Sequence, residues 1–197
     1  MKNLIIILLV TLSQFVNAQI PTVAYIESKS GKYGLQDENG NILVDTVFDR
    51  MMFDGVNQET GEALLKKGKN WLLINYKADI VTMFSGYNLN SSIQHGVIAA
   101  ENIKTGKSGY LNKLGEVVVP FNLHITKGMY NKFGLGVAAI SDKKYGVMNS
   151  LGEWVLKPKF NHIDEILGED YFVVYTKGDY WVVNKEGKLL EIMEIGC

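Results

Sequence analysis

After residue 18 the chain carries no helical periodicity of any length, and its apolar positions fall into short runs bounded by polar, glycine-rich stretches. Five such runs are TVAYIES (22–28), GEALLKK (61–67), GVIAAEN (96–102), GVAAISD (136–142) and YFVVYTK (171–177). Each is followed by a polar turn and a second apolar segment: YGLQD (33–37), WLLIN (71–75), GYLN (109–112), YGVMN (145–149) and YWVVN (180–184). Reversals at DENGN, NKLGE, NSLGE and NKEGK come next, and in EVVVPF and EWVLKPKF a third extended segment is plain. Glycine in these reversals supplies positive φ without steric cost, and the preceding Asn or Asp can bond its own backbone. The pattern predicts two hairpins, and so three antiparallel strands, per unit.

The grammar repeats. Aligning the second residue of each aromatic pair with the turn glycine six residues later gives Gly34 with Gly40, Gly109 with Gly115, Gly146 with Gly152, and Trp181 with Gly187. Trp71 with Lys77 keeps the frame without the glycines, and Tyr33 and Tyr145 are the aromatic partners of Gly34 and Gly146. These anchors lie 37, 38, 37 and 35 residues apart, which predicts five units of about 37 residues over 22–60, 61–94, 95–133, 134–169 and 170–197. First strands such as Val97-Ile98-Ala99-Ala100 are apolar at successive positions. Both of their faces are therefore expected to be buried, and the units to stack. The predicted fold is all-β, five tandem three-stranded repeats in an open curved array. The alternative is a closed ring of five propeller-like blades with Ala24, Ala63, Ala99 and Ala138 crowding the axis. The chain's last stretch, KLLEIMEIGC, lacks the F-N-H-I tail of the preceding unit, which favours the open form.

These residues resemble the bacterial WG-repeat proteins, also met as KWG repeats. The resemblance rests on Lys32-Tyr33-Gly34, Lys144-Tyr145-Gly146, the third strands Gly115 to Phe121 and Gly152 to Phe160, and the pairs Phe48-Asp49 and Phe160-Asn161. Tyrosine stands for tryptophan before the glycine in units one and four, Ser108 in unit three, and unit two is degenerate. The resemblance implies an all-β repeat protein and offers no catalytic residues to carry across. A strand glycine beside an aromatic ring is itself explained by packing, since the ring covers the gap and the glycine admits a close backbone. Trp71, Trp154 and Trp181 are read as packing anchors.

The N-terminus sets the compartment. Lys2, the apolar run from Leu4 to Val10 and the small-residue tail Val16-Asn17-Ala18 predict a secretory signal over 1–18. The repeat domain then spans 19–197, exported to the periplasm or beyond. Thr11, Ser13, Gln14 and Asn17 interrupt the roughly 20 apolar residues that a membrane span requires. Charge is balanced, with 20 Lys+Arg against 21 Asp+Glu, and Arg50 is the only arginine. Neither a nucleic acid nor an anionic membrane is an expected partner. Cys197 alone can form no intrachain disulfide.

No candidate chemistry gathers into a constellation. His124 and His162 follow F-N at nearly matching places in units three and four, so a whole repeat separates them, and with His95 they are not expected to share a metal. DENGN mimics the start of a calcium loop through Asp37, Asn39 and Asn41, but its glycine is misplaced and no closing glutamate follows. Asp164-Glu165 and Glu169-Asp170 flank Gly168 and would be the acid and base of a glycan hydrolase. No serine sits in a nucleophile elbow, and no phosphate loop or dinucleotide fingerprint occurs. No cofactor is expected. The leading expectation is a non-catalytic module presenting a β-repeat surface to a protein or cell-envelope polymer, with the glycan hydrolase as the alternative.

Overall fold

The computed structural model describes residues 20–128, 131–167 and 169–190. The expected signal segment and Cys197 lie outside them. Eighteen strands form five antiparallel sheets in chain order, and the described residues contain no helix. Sheet 1 holds β1 (Val23–Glu27), β2 (Tyr33–Asp37) and β3 (Ile42–Phe48). Sheet 2 holds β4 (Arg50–Asn57), β5 (Glu62–Lys67), β6 (Asn70–Ile74) and β7 (Ile80–Phe84). Sheet 3 comprises β8 (Tyr87–Leu89), β9 (Val97–Asn102), β10 (Ser108–Asn112) and β11 (Val117–Leu123). Sheet 4 comprises β12 (Ile125–Thr126), β13 (Leu135–Ser141), β14 (Lys144–Asn149) and β15 (Trp154–Phe160). Sheet 5 is β16 (His162–Ile166), β17 (Tyr171–Thr176) and β18 (Asp179–Asn184).

The three inner sheets therefore have four strands where the sequence pattern predicts three. The additional strand comes from the tail of the preceding unit. A single residue, Asp49, separates β3 from β4, and Asn161 alone separates β15 from β16. Sequence unit and sheet are thus offset by one strand. Each tail leaves its own unit to become the outer edge of the next unit's sheet, so that consecutive units are joined by main-chain hydrogen bonds as well as by packing.

Burial on both faces of the first strands divides the interior into separate cores. In β5, Ala63 and Leu65 pack with Val23, Leu35, Val44 and Phe48 of sheet 1, whereas Leu64 packs with Leu89, Ile98 and Leu111 of sheet 3. Strand β9 divides in the same way, Ile98 and Ala100 toward sheet 2, Val97 and Ala99 toward Ala138 and Met148 of sheet 4. Leu135, Val137 and Val147 then meet Ile163, Phe172, Val174 and Val183 of sheet 5. Two tyrosine hydroxyls tie neighbouring sheets by donating to buried carbonyls, Tyr25 to Leu64 O (3.3 Å) and Tyr110 to Lys127 O (2.7 Å). Burial pushes the Tyr25 phenol well above its ordinary pKa. The Gln58 carboxamide acts as a strand substitute, donating to Val23 O at 2.8 Å and accepting from Val23 N at 3.1 Å.

Four such cores join five sheets, and among the described residues no core joins sheet 1 to sheet 5. The array is open. Ending the chain at Asn161 removes sheet 5 and one core only. The remaining four sheets are expected to unfold cooperatively at a lowered temperature, because stability in such arrays is a sum of unit and interface contributions. Far-ultraviolet circular dichroism during a thermal ramp checks this. Loss of a sharp transition would show that the fifth sheet is indispensable to the others.

Candidate functional site

The turn after the second strand is built on one plan in all five units, with both side-chain bonds in the first four. An Asx side chain accepts the backbone N–H groups two and four residues on: Asp37 from Asn39 and Asn41, Asn75 from Lys77 and Asp79, Asn112 from Leu114 and Glu116, Asn149 from Leu151 and Glu153. Asn184 accepts from Lys188 in the same manner. These bonds hold the Asp37 carboxyl below the usual carboxylate range, the Asn41 side chain contributing most. The apparent start of a calcium loop is therefore an Asx turn whose carboxylate the chain itself satisfies.

Three residues after each Asx the backbone turns left-handed, at Gly40 (φ 82°), Gly115 (82°), Gly152 (85°) and Gly187 (72°), and in unit two at Ala78 (67°). The unit-two frame accordingly lies one residue beyond the spacing Trp71 with Lys77. Trp71 takes the place of Tyr33, Ser108 and Tyr145, pairing with Phe84 as they pair with Phe48, Leu123 and Phe160. Leu72 takes the glycine's place. An L-residue in this conformation is strained, so Ala78→Gly is expected to stabilise the protein by about 0.5–1 kcal/mol after the larger unfolded-state entropy of glycine is discounted. A urea titration reads the gain, and an unchanged midpoint would contradict the strain.

The strand glycines have a different cause. Between Tyr145↔Phe160 and Val147↔Leu156 the third strand uses two more residues than the second, and the same excess occurs opposite Gly34 and Gly109. The bulged backbone lies over the glycine. A Cβ on Gly109 would be 2.6 Å from Val119 O, and one on Gly146 would overlap Leu156 O and stand 2.8 Å from the Trp154 ring. Where Leu72 replaces the glycine, β7 pairs in regular register through Trp71↔Phe84, Leu72↔Met83 and Leu73↔Thr82. In unit five, with Trp181 at the glycine position, the described residues after the turn pair through a bridge at Val183↔Leu189. Gly146→Val is expected to cost at least about 2 kcal/mol, because the obstacle is backbone that cannot swing aside. Gly178, with open space around it, is the control for Gly→Ala, costing only its φ strain. Equal losses at the two sites would sink the steric account.

The Asx turns do not stand apart from the sheets before them. Thr82 Oγ1 donates to Lys113 O at 2.7 Å, Gly152 rests on Val119, and Lys159 Nζ donates to Gly187 O at 3.3 Å. Successive turns thus sit against the third strand of the preceding sheet and form a row. Their tips vary: Asn39, Lys77, Leu114, Leu151 and Glu186 occupy the second position after the Asx. Leu114 and Leu151 are 62% and 74% exposed in consecutive units.

The polar residues singled out from sequence do not converge. His95 Nε2 lies 2.8 Å from Asn131 O, His124 Nε2 2.6 Å from Asp142, and the His162 ring meets Tyr145 edge-on at 5.4 Å. No metal-holding cluster of His, Cys, Asp or Glu occurs among the described residues. Asp164 and Glu165 are exposed and line a groove of about 270 Å³ with Lys127, Asn131 and Gly136. Asp170 instead pairs with Lys185 at 3.0 Å, which raises the lysine pKa. The four carboxylates therefore divide between two places. No helix among the described residues is long and apolar enough to cross a membrane.

Residues 33–55 and 145–181 match the sequence model of the WG-containing repeat. No curated protein matches the chain. Among solved structures, the WD40 beta propeller domain of Doa1 is similar at 15% identity and a TM-score of 0.45, over 88% of this chain and 65% of that one. A protein of unknown function from Bacteroides caccae is similar at 13% identity and a TM-score of 0.36, over 81% and 73% of the two chains. The chain thus spans just under two thirds of the length of the first.

Proposed function

Because the chain is a WG-repeat protein whose units share one frame and differ at their tips, we propose that it is a non-catalytic interaction module of the cell exterior or periplasm. One observation carries the reading: the same Asx turn recurs five times on a rigid frame, while the residue at its tip changes from Asn39 to Lys77, Leu114, Leu151 and Glu186. Constant geometry beneath variable exposed side chains is how a scaffold displays a recognition surface. The partner is a protein or a cell-envelope polymer, and the adjoining Leu114 and Leu151 supply its apolar anchor. Two large aliphatic side chains that water surrounds in the free protein gain free energy when a partner covers them.

The export part of the proposal rests on the Lys2 to Ala18 segment. N-terminal sequencing of exported protein should read from Gln19, and retention of Met1 would remove it. The binding part is tested by capturing envelope-extract components on the immobilised chain and on Leu114→Asp/Leu151→Asp. The double variant is expected to keep its melting temperature and to lose about tenfold or more in capture. Undiminished capture would place recognition elsewhere than the row of turns.

A further inference from the structure

A groove of about 490 Å³ lies between β4 and β8, beside the core that packs sheet 2 on sheet 3. It takes residues from two units: Arg50, Met52, Phe53 and Lys66 from sheet 2, Asn88 and Asn90 from sheet 3. Its charge is one-sided. Two cations and two carboxamides line it, and none of its described lining residues is a carboxylate. In a chain whose charges otherwise balance, that is a local positive field.

The neighbouring acid does not neutralise it. Asp49 adjoins Arg50 in sequence, but its carboxylate is taken by the Lys32 ammonium and by the Gly68 amide, which donates at 2.6 Å. These partners, Lys32 foremost, hold Asp49 below the usual carboxylate range. Arg50, the chain's only arginine, has no ion pair among the described residues. Lys66 lies 5.7 Å from the Trp71 ring centroid, half-buried and likewise without a carboxylate. Trp71 is only 5% exposed, so it supports the ammonium from beneath rather than offering a face to a ligand.

The groove also has an extended backbone beside it. β4 is the edge strand of its sheet, and between Met51↔Leu65 and Val56↔Ala63 its register slips, leaving Met52 and Phe53 out of the ladder. Phe53 is 78% exposed, more than any other large apolar side chain described. A free edge strand accepts another extended chain through main-chain hydrogen bonds, with side-chain pockets setting its identity. A guanidinium fork beside an exposed ring reads a carboxylate next to an apolar group.

We propose that the groove between β4 and β8 binds an extended acidic peptide segment. Arg50 and Lys66 hold its carboxylate, Asn88 and Asn90 its polar atoms, and Phe53 with Met52 a flanking apolar side chain. The inference deepens the reading of the chain as an interaction module and gives that module a partner chemistry. A sugar-acid polymer shares the carboxylate, but the free edge of β4 favours peptide, and the polymer is made an outcome of the test.

The full chain is applied to an array of heptapeptides carrying one glutamate and one leucine or phenylalanine at varied spacing, beside glutamine counterparts and immobilised hexagalacturonate. Glutamate peptides are expected to bind at least tenfold more tightly than their glutamine counterparts, and to weaken as salt rises from 50 to 300 mM. Arg50→Gln/Lys66→Gln should lose that tenfold preference at an unchanged melting temperature, whereas Phe53→Ser should weaken glutamate and glutamine peptides alike. Binding to no peptide, equal binding of glutamine peptides, or hexagalacturonate binding more tightly than any peptide would each overturn the proposal. So would a preference that survives in Arg50→Gln/Lys66→Gln. Envelope capture lost on Leu114→Asp/Leu151→Asp but kept in Arg50→Gln/Lys66→Gln would overturn the groove alone and leave the module reading intact.

Discussion

Every other feature of this protein depends on strands that are buried on both faces. Leu64 turns toward sheet 3 while Ala63 and Leu65 turn toward sheet 1, so a single β5 serves two cores at once. A strand in that position cannot tolerate a polar alternation, and its unit draws stability from neighbours on either side. The stacking of the sheets, the handover of tails such as β4 and β16 to the next sheet, and the seating of Asx turns on the preceding sheet all follow from meeting that demand in the three inner sheets. The end sheets meet it on one side only, and they are the ones with three strands.

The aromatic-glycine signature takes its meaning from the third strand rather than from a ligand. Two surplus residues in β3, β11 and β15 lift the backbone over Gly34, Gly109 and Gly146. Leu72 stands at the same position where that surplus is missing. Signature and bulge thus rise and fall together within one molecule. This internal comparison separates steric cause from coincidence without reference to any other protein.

Much of this could be read from the sequence. Short apolar runs, Asx-Gly reversals and doubly apolar first strands are local signals, and they specify five units, their hairpins and their stacking. The fourth strand was not legible because tails such as Tyr87–Leu89 and Ile125–Thr126 are two or three residues long and find their partners beyond a loop. The unit-two frame was obscured by Ala78, which does a glycine's work without being one. The groove at Arg50 was invisible for a different reason, since Lys66 and Asn88 join it only when two sheets pack together. A sole arginine without a carboxylate partner was the one sequence-level hint, and its meaning depended on knowing that Asp49 is already engaged by Lys32.

Four cores in series also give the molecule a mechanical character. A load applied along the stack passes through each interface in turn, so no interface shares its burden with another. The junction of sheets 3 and 4 includes Ala99 and Ala138 together with Tyr110, Met148 and a half-buried Trp154, while that of sheets 4 and 5 has Phe160 and Phe172 among leucines and valines. At the junction of sheets 3 and 4 a hydrogen bond adds to the packing. The Tyr110 hydroxyl, bonded across it to Lys127 O, acts as its rivet.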